Sequence, residues 1–197
     1  MKALLLSGGM DSSSIAWWKR PDIAIFVDYG QLAARAEEEA SKSICAAANI
    51  RHEMVSADCS ALGSGNMSHQ RSLEISPVPE WWPYRNQLIL TLAGAAALRL
   101  GATGLMIGAL STDEEHVDGQ PRFISAISDL MAMQEGGLTI TAPAITMNAT
   151  ELVKASGIPQ SVLAWSHSCH IGNFACGRCR GCIKHYQTWK SLGWPPH

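Results

Sequence analysis

"KALLLSGGMDSSSIAWW", residues 2–18, decides how the rest of the chain is read. An apolar run ends in Ser7-Gly8-Gly9, and an apolar pattern resumes after Asp11-Ser12-Ser13. Residues 2–6 read as a buried strand and residues 12–19 as the helix after it. In an α/β sheet the first strand-to-helix turn is a favoured ligand site, beyond the carboxyl ends of the strands. Glycines there let the backbone come close to an anion. The helix aims free N–H groups and the positive end of its dipole at that anion. Ser7, Ser12 and Ser13 add hydroxyl donors. Asp11 would repel phosphate directly, so it either caps the helix or acts with a magnesium ion bridging carboxylate and phosphates. The stretch thus reads in two ways, as a plain turn with a helix cap or as a phosphate cradle. It is neither a Walker A loop, since no Gly-Lys-Ser/Thr follows, nor a dinucleotide fingerprint.

Beyond this stretch the pattern repeats. Residues 23–27, "IAIFV", form a second β-branched run before a turn at Asp28-Tyr29-Gly30. Residues 33–48 read as an alanine- and glutamate-rich helix closed near Asn49, and "HEMVSA" as a third strand. Residues 63–79 hold glycine, serine, asparagine and proline without periodicity and read as a long, mobile loop. "RNQLILTLAGAAALRLG" is the most apolar helix, stopped at Gly101. A strand "TGLMIGA", a helix "RFISAISDLMAMQEG", a short strand "LTITAP" and a helix "TELVKASG" complete the order. Strands alternating with helices predict an α/β fold, a parallel sheet with helices on both faces. The expected boundary lies near Ser161, dividing a domain over 1–160 from a C-terminal cysteine segment over 161–197.

The 197 residues, 47% hydrophobic, suffice for one full-sized core. A formal charge of −2 gives no electrostatic reason to expect nucleic acid or an anionic membrane as partner. No apolar run approaches the ~20 residues of a membrane span, and the first run is too short for a signal peptide. A cytoplasmic protein is expected.

Cys45 and Cys59 stand alone and read as small core or surface residues, whereas Cys169, Cys176, Cys179 and Cys182 crowd together. Such clustering in a cytoplasmic chain argues for metal or redox chemistry over a disulfide framework. Four soft ligands on a compact loop suit tetrahedral Zn2+ at about 2.3 Å. A [4Fe–4S] cluster is the competing reading, but a ferredoxin pattern places another Cys followed by Pro where His185 stands. Four protein ligands leave no open position, so the metal is expected to be structural. His167, His170 and His185 are substitute ligands or neighbours of the site.

The S-G-G-x-D-S of residues 7–12 matches the signature of the N-type ATP pyrophosphatases, the PP-loop superfamily. These enzymes split ATP between the α and β phosphates to adenylate a carboxyl or carbonyl oxygen. "FVDYGQ" at residues 26–31 and Pro83-Tyr84-Arg85-Asn86 before a long apolar helix resemble motifs of the 7-cyano-7-deazaguanine synthases of the queuosine pathway. "FISAIS", "TAPAITMNATELVKASGIP" and "WSHSC" follow in that family's order. The resemblance covers nearly the whole chain, and what it implies is specific. The fold is that of the adenine nucleotide alpha hydrolases, with a small C-terminal zinc knuckle. ATP and Mg2+ are bound by Ser7, Gly8, Gly9, Asp11, Ser12 and Ser13, and adenine meets the backbone around Phe26 and Val27. Asp11, Arg85 and Asn86 serve the reaction, and Tyr29, Arg85 and Asp118 serve the substrate, with Arg85 alternatively a surface residue at a helix start. The substrate is 7-carboxy-7-deazaguanine. One ATP with ammonia gives the amide, and a second activates the amide oxygen so that its loss leaves the nitrile. Family members are often homodimers.

Two departures stand out. The family's substrate loop "G-Y-P-D-C-R" corresponds to residues 115–120 here, where only Asp118 matches; an acid there can accept hydrogen bonds from a guanine-like edge. The family's "T-K-x-E" appears as Asn148-Ala149-Thr150-Glu151. A lysine expected near the phosphates is therefore missing, with Arg122 and Lys154 as the candidate replacements. The expected function is an AMP-forming ligase on this carboxylate or a close analogue. One alternative stops at the amide or transfers the activated deazaguanine to an amine on a protein or other acceptor. Another, favoured by Asn148-Ala149, is a nucleotide-binding interaction module without catalysis.

Overall fold

Five parallel strands form one sheet in the order β3-β2-β1-β4-β5: β1 (Lys2–Leu5), β2 (Ile23–Asp28), β3 (Arg51–Ser56), β4 (Gly104–Met106) and β5 (Thr139–Thr141). The computed structural model describes residues 1–112 and 116–195. Between and after the strands run α1 (Met10–Lys19), α2 (Ala34–Ala48), α3 (Arg85–Arg99), α4 (Pro121–Ala132), α5 (Ala149–Ser156), α6 (Gln160–Leu163) and α7 (Arg180–Ser191). β1 sits at the centre, Leu4 facing Ala24 of β2 on one side and Met106 of β4 on the other.

The period of two along a strand sorts the core into two layers. Ala3, Leu5, Ile23, Ile25 and Val27 pack with Leu90, Ala93 and Ala97 of α3 and Ile124 and Ile127 of α4. Leu4, Leu6 and Ala24 face the opposite way, against Ile15 of α1, Ile44 and Cys45 of α2 and Leu152 of α5. The expected parallel sheet with helices on both faces is what these layers build. A third cluster of Met10, Val153, Ile158, Leu163 and Trp189 joins α7 to α1, α5 and α6. Among the described residues, no helix is long and apolar enough to cross a membrane.

Two segments differ from the sequence reading. Residues 57–84 carry no strand or α-helix, as read, but are anchored at points the pattern does not announce: single 3-10 turns cover Ser60–Leu62 and Gly65–Met67, and Met67 and Trp82 enter the core, while residues 69–75 are exposed. The loop is pinched where Asn66 N–H donates to the Pro79 carbonyl at 2.7 Å. Gly65, at φ +64°, permits that approach, because a Cβ would lie 2.1 Å from the Pro79 oxygen. The second is α7, a three-turn helix beginning inside the cysteine cluster that the apolar pattern does not announce.

Candidate active site

The cradle forms where the strand-to-helix turn of residues 6–9 meets α1. Gly8 takes φ +77°, and a Cβ there would stand 2.4 Å from the Glu37 carbonyl oxygen, so only glycine fits between this turn and α2. Gly9 N–H donates to Ser7 Oγ at 3.4 Å, Ser12 Oγ donates to the Gly9 carbonyl at 3.2 Å, and the Ser7 and Ser12 hydroxyls lie 3.1 Å apart. Asp11 does not cap the helix: Gly9 holds that position, without a side-chain cap. Instead Asp11 lies in the first turn, where a negative charge suits the helix dipole, and its Oδ2 accepts from Lys184 Nζ of α7 at 2.9 Å.

Above this turn lies a cavity of about 740 Å³. It opens at the carboxyl ends of the strands, beside the β1–β4 boundary where strand order reverses, as the α/β rule requires. Ser7, Gly9, Asp11, Ser12, Phe26, Val27, Tyr29, Arg85 and Asn86 all line it. Of the other residues read from sequence, Gly8 and Ser13 are not among the lining. Ser13 is fully buried, its hydroxyl without a hydrogen-bond partner among the described residues. Asp118 also stands outside the lining: its carboxylate accepts from Asn86 N–H at 3.3 Å and its carbonyl from Asn86 Nδ2 at 3.1 Å, which fixes the start of α3. Of the altered loop 115–120, Glu115 lies outside the described residues, while His116 and Gly119 line the cavity.

Asn148-Ala149-Thr150-Glu151 has a local explanation. Asn148 Oδ1 accepts from Glu151 N–H at 3.0 Å and Glu151 Oε2 from Asn148 N–H at 2.8 Å, a complete capping box. It starts α5 beside the cavity, which Asn148, Ala149 and Thr150 line. Arg122 and Lys154 are exposed and neither lines the cavity. Lys184 does.

The opposite wall is charged. Arg85 reaches Met67 Sδ at 2.9 Å. Buried Glu80, from the folded loop, accepts from Arg180 at 3.2 Å and lies 3.9 Å from His116 Nε2. Burial holds His170 largely neutral, lowering it to about 4, and its Nδ1 has no partner among the described residues. Tyr29 packs edge-on against Trp82 at 5.0 Å, and burial keeps its hydroxyl protonated. None of Glu80, His116, His170, Arg180 and Lys184 was singled out from sequence for this cavity. One signal was present: Arg180, Lys184, Gln187 and Ser191 recur at helical spacing, a polar stripe turned towards a ligand cavity instead of an apolar one turned towards a core.

Glu37 also lines the cavity, its carboxylate accepting from Gln31 Nε2 at 2.8 Å. Burial raises it from 4.5 to about 7, with the Gln31 hydrogen bond and the Arg85 charge pulling the other way. A carboxyl held above its unfolded value contributes stability that is full below the unfolded pKa and lost as pH rises through the folded one. Glu37→Gln is therefore expected to gain on wild type in Tm as pH climbs from 4.5 to above about 7. Thermal melts across that range check this; a constant Tm difference would contradict it.

The four cysteines converge as the spacing predicts, their Sγ atoms all within 4.8 Å of one another. Cys176–Cys182 and Cys169–Cys179 stand 3.9 and 4.0 Å apart. Backbone N–H groups of Arg178 and Cys179 point at Cys176 and bring its thiol down to about 6, so a thiolate is already favoured there. Cys179 caps α7, its Sγ accepting from Cys182 N–H at 3.4 Å. The preceding segment crosses the cradle, where His167 N–H donates to the Gly8 carbonyl at 2.9 Å. Cys45 is buried and Cys59 half-buried, both free thiols.

Known proteins resemble this chain over nearly its whole length. The family model "Queuosine biosynthesis protein QueC" matches residues 2–193. A 7-cyano-7-deazaguanine synthase of Desulforudis audaxviator is 31% identical, the match covering 96% of each chain. Another, of Methanosarcina mazei, is 28% identical over 98% of this chain and 95% of its own. Among solved structures, the U34-tRNA thiolase NcsA from Methanococcus maripaludis with its [4Fe-4S] cluster shares the fold at TM-score 0.51 and 15% identity. That match covers 97% of this chain but 64% of the thiolase, less than two thirds of its length.

Proposed function

The chain belongs to the QueC family of queuosine biosynthesis proteins, and from that premise we propose an ATP-dependent, AMP-forming C–N ligase acting on 7-carboxy-7-deazaguanine or a close analogue. A carboxylate is a poor electrophile because its leaving group would be oxide. Attack of its oxygen on the α-phosphorus expels pyrophosphate and installs AMP as a good leaving group. Ammonia then displaces AMP to give the amide. A second ATP activates the amide oxygen, and its departure with AMP, with loss of two protons, leaves the nitrile. The protein's part is positioning and charge neutralisation.

The observation that carries this reading is a single cavity joining a serine- and glycine-lined helix start to a wall bearing Tyr29, Glu80 and Arg85. In it Ser7, Gly8, Gly9, Ser12 and Ser13 hold or shape the pyrophosphate site, and Asp11 serves the phosphate end with Mg2+. The backbone of Phe26 and Val27 meets adenine. Tyr29, Arg85 and Asn86 attend the acyl group, with Asp118 acting through Asn86. The cysteines take Zn2+: sulfurs about 4 Å apart suit the edges of a tetrahedron around one ion with bonds of about 2.3 Å. A four-iron cube, with an iron behind each sulfur, calls for wider spacing. On this reading residues 161–197 are a metal-stapled cap on a nucleotide domain over residues 1–160.

The test is incubation of metal-loaded protein with ATP, magnesium, ammonium and 7-carboxy-7-deazaguanine, followed by AMP and product mass. AMP release with nitrile formation is expected. Amide alone would mean a member that stops halfway or passes the acyl group to another amine. Absence of AMP would leave a binding module.

A further inference from the structure

The cavity holds three Lys or Arg side chains among the described residues: Arg85, Arg180 and Lys184. Arg85 reaches Met67 and Arg180 reaches Glu80. Lys184 stands at the cradle, 2.9 Å from the Asp11 carboxylate and therefore beside the first turn of α1. That pairing offsets the Asp11 charge, which would otherwise repel a polyphosphate at the first turn of α1, and it brings an ammonium to that turn. An ammonium on a flexible stem is suited to phosphate as a point charge that follows its ligand. Arg180 and Lys184 are four residues apart, so they share a face of α7 about 6 Å apart along its axis. The helix thus lays one cation at the Glu80 wall and one at the cradle.

The position of Lys184 is well supported. Cys179 caps α7 and Cys182 lies in its first turn, so the cluster that gathers the four sulfurs also holds this end of the helix. Trp189, 3% exposed, holds the other end in the third core cluster. His167 N–H to the Gly8 carbonyl ties the same segment to the cradle loop.

We propose that Lys184 binds the β- and γ-phosphates of the nucleotide and stabilises the departing pyrophosphate, a contact made from the cysteine segment and not from α5. This rests on the reading that ATP fills the cavity. As the substrate oxygen bonds to the α-phosphorus, the bond from that phosphorus to the bridging oxygen breaks. Its electron pair stays on the β-phosphate, and the fixed positive charge of Lys184 faces the charge that develops there. No proton moves.

The experiment measures ATP and AMP binding by calorimetry to the metal-loaded chain and to Lys184→Met and Lys184→Arg, without acceptor. Lys184→Met is expected to weaken ATP about tenfold or more, as loss of a charge-assisted contact does, and to leave AMP affinity and metal content unchanged. Lys184→Arg is expected to recover most of the ATP affinity. Unchanged ATP binding by Lys184→Met overturns the inference. Equal loss of ATP and AMP also overturns it, because that marks a displaced helix. Wild-type protein that binds neither nucleotide overturns the ATP reading itself, and this inference with it.

Discussion

Asp11→Ala is expected to bring AMP release down to background, a loss of at least about a thousandfold, while the cysteine site keeps its metal. The substitution removes the charge that meets Lys184 Nζ at 2.9 Å and stands in the first turn of α1. A single pre-organised electrostatic contact in a water-poor site carries about 10²–10³ in rate. Asp11 holds Lys184 at the cradle and is the carboxylate proposed to serve magnesium there, so the loss reaches the top of that range or passes it. Neither sheet-face core cluster includes Asp11, so the melting profile should change little. Steady-state AMP release beside elemental analysis makes the comparison. Activity within tenfold of wild type would remove Asp11 from the reaction.

Stripping the metal with a strong chelator is expected to abolish ATP binding while most of the far-UV circular dichroism remains. Without an ion no bond holds the four sulfurs together, and Cys179 and Cys182 are the cap and first turn of α7. Loosening that turn withdraws Arg180, Gly181 and Lys184 from the cavity wall together. Gly181 shows how closely this end is packed, since a Cβ there would lie 1.9 Å from the Ser168 carbonyl oxygen. The sheet and its two layers lie elsewhere and keep their helices. Readdition of Zn2+ should restore binding, as metal affinity and local folding are one free energy in such loops. Full ATP affinity in metal-free protein would separate the cysteine site from the nucleotide site. Visible absorbance before chelation would instead identify an iron–sulfur centre.

Strands and crossover helices were legible because burial on both sheet faces makes each strand a short apolar run, as in "KALLL" and "IAIFV". The turn at residues 7–9 was legible as a strand-to-helix junction, but the stretch alone left a plain turn and a phosphate cradle both open, and the motifs that follow it favoured the second. What was not legible is what the cavity takes from distant segments. Glu80 lies at the end of a glycine- and serine-rich stretch whose order comes from long-range contacts, Met67 and Trp82 in the core among them. A local pattern carries no trace of those. The charged face of α7 was hidden for a related reason: hydrophobic periodicity finds helices that face a core, and this one turns Arg180, Lys184, Gln187 and Ser191 towards a cavity. Arg122 and Lys154 were near in sequence to the altered motifs, yet both face solvent. The lysine that lines the cavity beside Asp11 comes from α7.

Chain order gives the pinched arrangement of cradle and cysteine segment a consequence in time. A ribosome delivers β5, ending at Thr141, and α5, ending at Ser156, before any of the four clustered cysteines. Both layers on the sheet can therefore consolidate first, leaving the turn at residues 6–9 formed but open on one side. The wall that bears Arg180 and Lys184 follows with α7. If the four cysteines take the ion proposed for them, maturation ends with a metal-dependent step, and a cell short of that ion would accumulate folded but idle chains. The supply of metal, more than the rate of synthesis, would then set how much working protein there is.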